Sequence, residues 1–267
     1  SLTLASGTNT LTLGADIETV TGGTGADTIE FSAAVSAVVV TLGAGSDALT
    51  LADGANTVTA TNVETVTGGT LADAVTLGAA ITGATVSLGA ASDTLTLANG
   101  TNTVTATAVE TVTGGTGNDT VTFGAAITAA TASLGAGTDR LILADGTNSV
   151  TVTAVETVTG GTGADTVTLS AAQTSGVMTL GDGTDTLVLA DGVNALTATN
   201  VETLTGGTGN DAITLGAAQT AGSIALGAGT DTLTLASGTN TLTLGADIET
   251  VTGGTGADSV TFSEAVS

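Results

Sequence analysis

The sequence repeats itself every 46 residues, and this period constrains the fold more than any other feature. A Thr-Gly-Gly phrase begins at Thr21, Thr67, Thr113, Thr159, Thr205 and Thr252, so four intervals are 46 residues and the last is 47. Fixed self-similarity of this length is typical of solenoids, in which each unit packs only on its neighbours. The sequence therefore predicts a single repeat array over residues 1–267.

The two ends of the sequence are nearly identical. Residues 2–27 match residues 233–258 without a change, so the opening returns 231 residues later, which is five repeats plus one residue. Both copies contain Leu-Gly-Ala-Asp-Ile-Glu, where the inner repeats have Ala-Thr-Asn-Val-Glu or a similar phrase. We therefore expect the chain to be a slice of a longer repetitive protein.

Apolar and Thr residues alternate after each Gly-rich turn, as in residues 119–123. A period of two with β-branched and aliphatic residues predicts a strand with one buried face. Val121 and Phe123 are expected to point inward and the intervening Thr residues outward. Phe31 and Phe262 occupy the same inward position as Phe123, so we interpret them as core residues. The sequence therefore predicts an all-β, parallel β-solenoid.

An Asp closes each Gly-rich turn, and the spacing of these residues alternates between 20 and 26 until a final interval of 27. They are Asp27, Asp47, Asp73, Asp93, Asp119, Asp139, Asp165, Asp185, Asp211, Asp231 and Asp258. We therefore expect each 46-residue repeat to consist of two coils, one of 20 and one of 26 residues. On this interpretation the Asp turns stack in one column along one edge.

The charge balance limits the function classes. The chain has 25 acidic residues, one basic residue (Arg140) and a formal net charge of −24, with no His and no Cys. Thiol chemistry, imidazole catalysis and the usual zinc sites are excluded. Nucleic acid and anionic membrane surfaces would find almost no positive charge to contact. No apolar run is long enough for a membrane span, and cations are the natural partners.

The turn Gly-Gly-Thr-Gly-Ala-Asp and the strand after it, residues 22–30, fit the pattern G-G-x-G-x-D-x-U-x, where U is a large aliphatic residue. Residues 114–122, 160–168, 206–214 and 253–261 fit it as well. This pattern resembles the nonapeptide of the RTX (hemolysin-type) calcium-binding repeats. The resemblance implies a right-handed parallel β-roll in which Ca²⁺ lies between successive turns, bound by Asp carboxylates and turn carbonyls.

The resemblance implies a set of calcium ligands on this chain. They are Asp27, Asp47, Asp119, Asp139, Asp165, Asp185, Asp211, Asp231 and Asp258, with Gly23, Gly25, Gly115, Gly117, Gly161, Gly163, Gly207, Gly209, Gly254 and Gly256. Asp73 and Asp93 are weaker candidates, because Leu71 and Ala91 replace the fourth-position Gly of their turns and that Gly is expected to need a positive φ. Alternate turns are half-matches that begin with Leu, such as residues 42–47.

Two other polar columns recur with the repeat. Asn56, Asn102, Asn148, Asn194 and Asn240 follow the half-match Asp residues by nine residues and are expected on a far side without calcium. Glu18, Glu64, Glu110, Glu156, Glu202 and Glu249 occur once per repeat and are expected to form a solvated row.

A column of carboxylates about 5 Å apart repels itself by roughly 1 kcal/mol per neighbour even in water, so it needs a counter-charge. Hard oxygen ligands with turn carbonyls suit Ca²⁺ better than Mg²⁺. The alternative is that each Asp only accepts hydrogen bonds from turn amides.

Two functions from different classes follow. The first is a structural extracellular segment of a bacterial protein, a stalk, filament or rod made rigid by calcium. RTX-type proteins are exported by type I secretion, and similar stretches occur in surface-layer proteins and large adhesins. The matching ends of the sequence would suit head-to-tail stacking, so contacts between copies, end to end or laterally, are expected. The second is an ice-binding β-solenoid that uses rows of outward-facing Thr-x-Thr side chains.

The repeats contain no cleft that differs from its copies in the other repeats, so we expect no enzyme.

Overall fold

The computed structural model of the protein describes residues 1–264. It divides into two compact units. Unit 1 comprises Ser1–Ala125 and Ala130–Asp139, and unit 2 comprises Ala126–Ala129 and the chain from Arg140 onward. Both units are parallel β-solenoids, which confirms the predicted fold class. Among the described residues, no helix is long and apolar enough to cross a membrane.

The odd-numbered strands of unit 1 form one parallel sheet, the odd sheet. Its strands are β1 (Leu2–Thr3), β3 (Thr19–Thr21), β5 (Val38–Thr41), β7 (Thr57–Thr61), β9 (Ala74–Leu77), β11 (Thr94–Thr96), β13 (Thr111–Thr116) and β15 (Ala130–Ala136). The even sheet holds β2 (Thr10–Leu13), β4 (Thr28–Phe31), β6 (Ala48–Thr50), β8 (Thr65–Thr67), β10 (Thr82–Ser87), β12 (Thr103–Thr107) and β14 (Thr120–Phe123).

Unit 2 has the same organisation. Its odd sheet holds β17 (Ser149–Thr153), β19 (Thr166–Leu169), β21 (Thr186–Val188), β23 (Thr203–Thr205), β25 (Gly222–Ala225), β27 (Thr241–Leu244) and β29 (Ser259–Phe262). Its even sheet holds β16 (Arg140–Ile142), β18 (Thr157–Thr159), β20 (Val177–Thr179), β22 (Ala195–Thr199), β24 (Ala212–Leu215), β26 (Thr232–Thr234) and β28 (Thr250–Thr252). In both units a coil is one odd and one even strand.

The strand register gives the true coil lengths. Neighbouring strands of a sheet pair residues 20 apart, as in Val66↔Val86, or 17 apart, as in Leu49↔Val66. Near the two identical ends the separation is 18, as in Leu11↔Ile29. The predicted 20-residue coil is therefore confirmed. The predicted 26-residue coil is wrong, because that interval contains a further corner and spans one and a half coils.

The 46-residue repeat accordingly contains five strands, or two and a half coils. In unit 1, the equivalent strands Thr57–Thr61 and Thr103–Thr107 lie in opposite sheets. In unit 2, Ser149–Thr153 and Thr241–Leu244 lie in the odd sheet and Ala195–Thr199 in the even sheet. An odd number of strands per repeat makes each repeat begin on the sheet opposite to the one before it.

The core follows the predicted alternation. Val121 and Phe123 are buried, and so is Phe31. Burying an aliphatic or aromatic side chain of this size contributes about 1.5–3 kcal/mol. Phe262, in the last described strand, is 37% exposed, so the inward position fills a core only where a further coil covers it.

Candidate metal centre

Each unit has two edges at which the chain turns from one sheet into the other. We call the corner that leads into an odd-numbered strand the odd edge, and the corner that leads into an even-numbered strand the even edge. Asp27 and Asp47 directly precede β4 and β6 on the even edge, whereas Asp73 and Asp93 precede β9 and β11 on the odd edge. The prediction of a single Asp column is therefore wrong, because the half-coil in each repeat moves successive pairs to opposite edges.

The same alternation holds in unit 2. Asp165 and Asp185 precede β19 and β21 on the odd edge, and Asp211 and Asp231 precede β24 and β26 on the even edge. Within each pair the two Asp are one 20-residue coil apart and directly stacked, as predicted. Each repeat therefore provides one pair of stacked Gly-rich turns. In four of the five pairs a full-match turn is followed by a half-match turn, and in the pair at Asp73 and Asp93 both turns lack the fourth-position Gly.

The Asp side chains belong to a hydrogen-bonded column, which we call the ladder. In unit 2, the Asn148 N–H donates to Asp165 Oδ1 (3.0 Å) and the Asp165 N–H to Asp185 Oδ1 (2.7 Å). The Asp185 N–H then donates to Glu202 Oε2 (2.8 Å). In every such step a side-chain oxygen accepts the backbone N–H of the ladder residue one coil earlier. The order Asn, Asp, Asp, Glu recurs from Asn9, Asn56 and Asn194.

The Asn residues stack directly with Asp and do not form a separate far side. Asn148 is buried, and its Nδ2 donates to Asp165 Oδ1 (2.8 Å) and to the carbonyls of Ala144 and Gly146. Its Oδ1 accepts the Ile127 N–H (3.0 Å). The neutral Asn side chain donates a hydrogen bond to the Asp carboxylate at this position. A second Asp in its place would repel that carboxylate.

The Glu residues do not form the predicted solvated row. Glu64, Glu110, Glu202 and Glu249 each accept the backbone N–H of the Asp one coil earlier, at 2.6–2.8 Å. The short corner before Glu64 depends on Asn62, whose φ is 52°. The Glu residues thus end each group of ladder acids and alternate between edges with them. Glu18 differs, since its carboxylate is exposed and 3.9 Å from the amino terminus of Ser1.

One oxygen of almost every ladder Asp lacks a partner. The ten ladder Asp residues that close the turns from Asp27 to Asp231 are 0–2% exposed. Among the described residues, no hydrogen-bond partner reaches the buried Oδ2 of Asp27, Asp47, Asp93, Asp119, Asp165, Asp185, Asp211 or Asp231. Hydrogen bonding to amides, the alternative to a metal, therefore accounts for Oδ1 and leaves Oδ2 unexplained. A buried ionised oxygen without a partner costs several kcal/mol, so this atom is the part of the site that fits a cation.

A backbone carbonyl lies beside this oxygen. A Cβ built on Gly160, the first residue of its turn, would lie 2.7 Å from Asp165 Oδ2 and 2.1 Å from the Leu180 carbonyl oxygen. On Gly22 it would lie 2.7 Å from Asp27 Oδ2 and 2.3 Å from the Leu42 carbonyl oxygen. Because the first Gly has no side chain, a space remains next to two oxygens, the Asp Oδ2 and the Leu carbonyl oxygen of the next coil. Such oxygens are the ligands that Ca²⁺ takes in proteins.

The electrostatics of the second Asp in each pair agree with a missing counter-charge. Burial raises the pKa of Asp185, and the neighbouring Asp165, Glu202 and Asp182 raise it further against the hydrogen bond from the Asp165 backbone. Burial likewise raises the pKa of Asp47, Asp93 and Asp231, again with acidic neighbours adding to the effect. Each of these four carboxyls lies between another Asp and a Glu of the ladder.

The glycines predicted as ligands border the same turns. The fourth-position Gly25, Gly117, Gly163, Gly209 and Gly256 all have positive φ, from 109° to 137°. The second-position carbonyls of Gly23, Gly161 and Gly207 accept a backbone N–H from the next coil at 3.0–3.1 Å. Gly254, Gly256 and Asp258 lie in the last described coil, where Asp258 is exposed. The assignment of these residues as ligands stays a prediction.

The turns with Leu71 and Ala91 differ from the rest. Ala91 takes a φ of 93°, a left-handed conformation that strains a residue with a Cβ, whereas Leu71 is 55% exposed and has no positive φ. In the Leu71 turn the Gly69 N–H donates to Asp73 Oδ2 (3.2 Å), so the oxygen that is orphaned elsewhere is used within the turn. That this pair is the weakest cation site stays a prediction.

Sequence reasoning missed the Leu carbonyls and a set of corner residues. Asp53, Asn99, Asp145 and Asp191 are spaced by 46 residues, three positions before a ladder Asn. Asn99, Asp145 and Asp191 contact full-match turns, and Asp53 contacts the Leu71 turn. Their 46-residue spacing was the sequence signal that could have identified these corner residues.

Among the described residues, no group of three or more acidic, His or Cys side chains lies close enough to hold a metal ion. A cation would therefore need backbone oxygens, as the turns provide. The family model for the RTX calcium-binding nonapeptide repeat (4 copies) matches residues 5–32, 105–125 and 199–218. No curated protein and no solved structure matches the chain.

Proposed function

We propose that the chain is a structural β-solenoid segment stabilised by calcium, and the match of the RTX calcium-binding repeat model to three of its segments supports this. The observation that carries this proposal is the buried, partnerless Asp Oδ2 that faces a Leu carbonyl from the next coil. A cation at that point compensates the charge that the fold has removed from water.

The proposed ions lie between the two stacked Gly-rich turns of each repeat. The Asp pairs are Asp27 with Asp47, Asp73 with Asp93, Asp119 with Asp139, Asp165 with Asp185, and Asp211 with Asp231. The turn carbonyls complete each site, so one ion per pair is expected, with the Asp73 and Asp93 pair binding most weakly. Successive sites then alternate between edges.

We place this segment outside a bacterial cell, as part of a surface-layer protein, adhesin or similar rod exported by type I secretion. Extracellular calcium would bind only the folded state and so stabilise it, whereas low internal calcium would favour the unfolded chain before export. Copies could associate end to end or laterally. No catalysis is proposed, since every repeat presents the same arrangement.

Thermal unfolding followed by circular dichroism tests the calcium proposal. The purified chain is melted in EDTA and in millimolar calcium, with matched magnesium as control. A ligand at 100 times its Kd adds about 2.7 kcal/mol per site, so several sites predict a large rise in Tm with calcium alone. An unchanged Tm and strand content in EDTA would contradict it.

A second candidate is an ice-binding surface. In the odd sheet of unit 1, Thr59, Thr76, Thr96 and Thr113 stand in direct register on consecutive strands. Such rows of hydroxyl and methyl groups repeat at the strand spacing of about 4.8 Å. In unit 2, Arg140 and Val177 both pair with Thr157 on the even sheet and interrupt the row there. Thermal hysteresis of the isolated chain separates this candidate from the first.

A further inference from the structure

The corner residues Asn99, Asp145 and Asp191 contact full-match turns from outside the ladder, and Asp53 contacts the irregular turn that contains Leu71. Each corner residue is exposed and lies one coil before its turn on the same edge. In unit 2, for example, Asp145 lies between β16 and β17, and the turn at residues 160–165 lies between β18 and β19. Neither the ladder nor the calcium ligands proposed above include these side chains.

Their side-chain oxygens accept hydrogen bonds from the third residue of the turn. Asp145 Oδ1 accepts the Thr162 N–H at 3.0 Å, and Asp191 Oδ1 accepts the Thr208 N–H at 2.9 Å. Asn99 Oδ1 accepts the Thr116 N–H at 3.1 Å, so an amide oxygen serves as well as a carboxylate. At Asp53 the Thr70 hydroxyl donates to Oδ1 at 3.3 Å, in the irregular Leu71 turn.

The same oxygens pack on the second glycine of the turn. A Cβ built on Gly161 would lie 2.6 Å from Asp145 Oδ1, and one built on Gly207 would lie 2.6 Å from Asp191 Oδ1. The corner side chain therefore touches two consecutive residues of the turn backbone. This contact explains why the second position of the turn has no room for a side chain.

The half-match turn holds the opposite side of the same backbone. The Gly163 N–H donates to the Asp182 carbonyl (2.7 Å), and the Asp182 N–H donates to the Gly161 carbonyl (3.1 Å). The turn is thus fixed between the Asp145 side chain and the next coil. Because Gly160 in this turn lies against both Asp165 Oδ2 and the Leu180 carbonyl, a shift of the turn would disturb both oxygens.

The first and last repeats lack this contact. Ser6 and Ser237 occupy the corner position, and a Cβ built on Gly23 or Gly254 meets only backbone atoms of that corner. The chain therefore contains three natural versions of one position: Asp, Asn and Ser.

We propose that Asp145, Asp191 and Asn99 are positioning residues for the cation site. They act by accepting the Thr N–H and so holding the oxygens of the turn in place, and their charge is not required. The inference rests on the proposed calcium function. It also assigns a weaker site to the pair at Asp27 and Asp47, whose corner residue is Ser6.

The test is isothermal titration of the full chain with calcium chloride. The variant Asp145→Ser/Asp191→Ser introduces the residue found at positions 6 and 237, so the fold tolerates it elsewhere in the chain. The variant Asp145→Asn/Asp191→Asn introduces the residue found at position 99. The double variant Ser6→Ala/Ser237→Ala is the matched control, and melting in EDTA measures stability separately.

In the Ser variant, two sites are expected to bind up to about tenfold more weakly, the effect of losing one hydrogen bond. The Asn variant is expected to keep wild-type affinity, and the Ala control to change nothing. Unchanged calcium affinity in the Ser variant would overturn the inference, as would an Asn variant as weak as the Ser variant. Absence of binding by the wild-type chain would instead show that the calcium proposal itself fails, and the inference with it.

Discussion

The Asp pairs of the second and fourth repeats have the same ladder but different turns. The Asn N–H reaches the first Asp Oδ1 at 3.0 Å in both, from Asn56 to Asp73 and from Asn148 to Asp165. The N–H of that Asp reaches the second Asp Oδ1 at 2.7 Å in both. The ladder is therefore independent of the glycine pattern and follows from strand register.

The turns above those ladders differ where glycine is missing. In the fourth repeat Gly163 has a φ of 110° and Thr162 forms a bridge to Asp182 in the next coil. In the second repeat Leu71 takes the place of that glycine, and Gly69 bonds back to Asp73 Oδ2. The comparison teaches that register places the carboxylates of both pairs. At the first Asp of the pair, Oδ2 is unpaired in the turn with the fourth-position glycine and accepts a backbone N–H in the turn with Leu71.

The largest effect is expected from the ladder amide. Replacing Asn148 by Ala removes the donors to Asp165, Ala144 and Gly146 and leaves buried groups unpaired, which costs about 3–5 kcal/mol. Asn56→Ala should cost the same, because its ladder is the same. Urea unfolding in EDTA measures both. A difference of more than 1.5 kcal/mol between them, roughly a factor of ten, would show that the turns do influence the ladder.

A smaller effect is expected from the fourth-position glycine. In Gly163→Ala the Cβ would lie 2.7 Å from the Gly146 carbonyl carbon at a left-handed φ, which costs about 2–3 kcal/mol. The variant should also lose one calcium ion by titration. Leu71→Ala is the matched control at the equivalent position and should lose none. If both variants bind as much calcium as the wild-type chain, glycine does not govern the site.

The pH dependence should be similar for the two pairs. Burial raises the pKa of both Asp93 and Asp185 above the ordinary value of 3.8. The folded chain therefore binds more protons than the unfolded chain in the window above that value, and the free energy of unfolding rises as the pH falls toward it. Melting in EDTA from pH 7 to pH 4 should show Tm increasing.

Asp93→Asn/Asp185→Asn should flatten this rise, because the amides do not titrate. With calcium present the trend should weaken, since protons displace the ion from the same carboxylates. A Tm in EDTA that falls steadily on acidification would refute the charge argument for both pairs.

The smallest effect concerns the corner before Glu. Ala154 in the fourth repeat has a φ of 50°, and Asn62 occupies the equivalent position in the second repeat with a φ of 52°. Asn tolerates this conformation better than Ala. Ala154→Gly should therefore raise the free energy of unfolding by about 0.5–1 kcal/mol, and Asn62→Gly should leave it nearly unchanged. Equal responses in urea unfolding would mean that this strain is relieved elsewhere.

Much of the fold could be predicted from local pattern. The inward positions of Val121 and Phe123 and the stacking of Asp27 on Asp47 followed from alternation and from the 20-residue spacing. The corner at residues 62–64 was missed because it contains no glycine. Its signal was a change in the buried positions from every second residue to every third, at Ala60, Val63 and Val66.

The candidate site was only partly predictable. The Asp residues were identified from the turn motif, but the Glu partners, the Leu carbonyls and the Asp145 contact were not. Each of these joins residues 15–20 positions apart. Which residues pair across two coils depends on where the next coil begins. When one corner is missed, every residue after it is assigned to the wrong partner in the neighbouring coil.

By itself, the sequence determined a parallel solenoid with one face of each strand inward, because side-chain alternation and a fixed repeat are local properties of the chain. Only the tertiary structure decided which edge each Asp occupies and which oxygen it leaves unpaired. The physical reason is that five strands per repeat make two and a half coils, so neighbouring repeats turn the same residues to opposite edges.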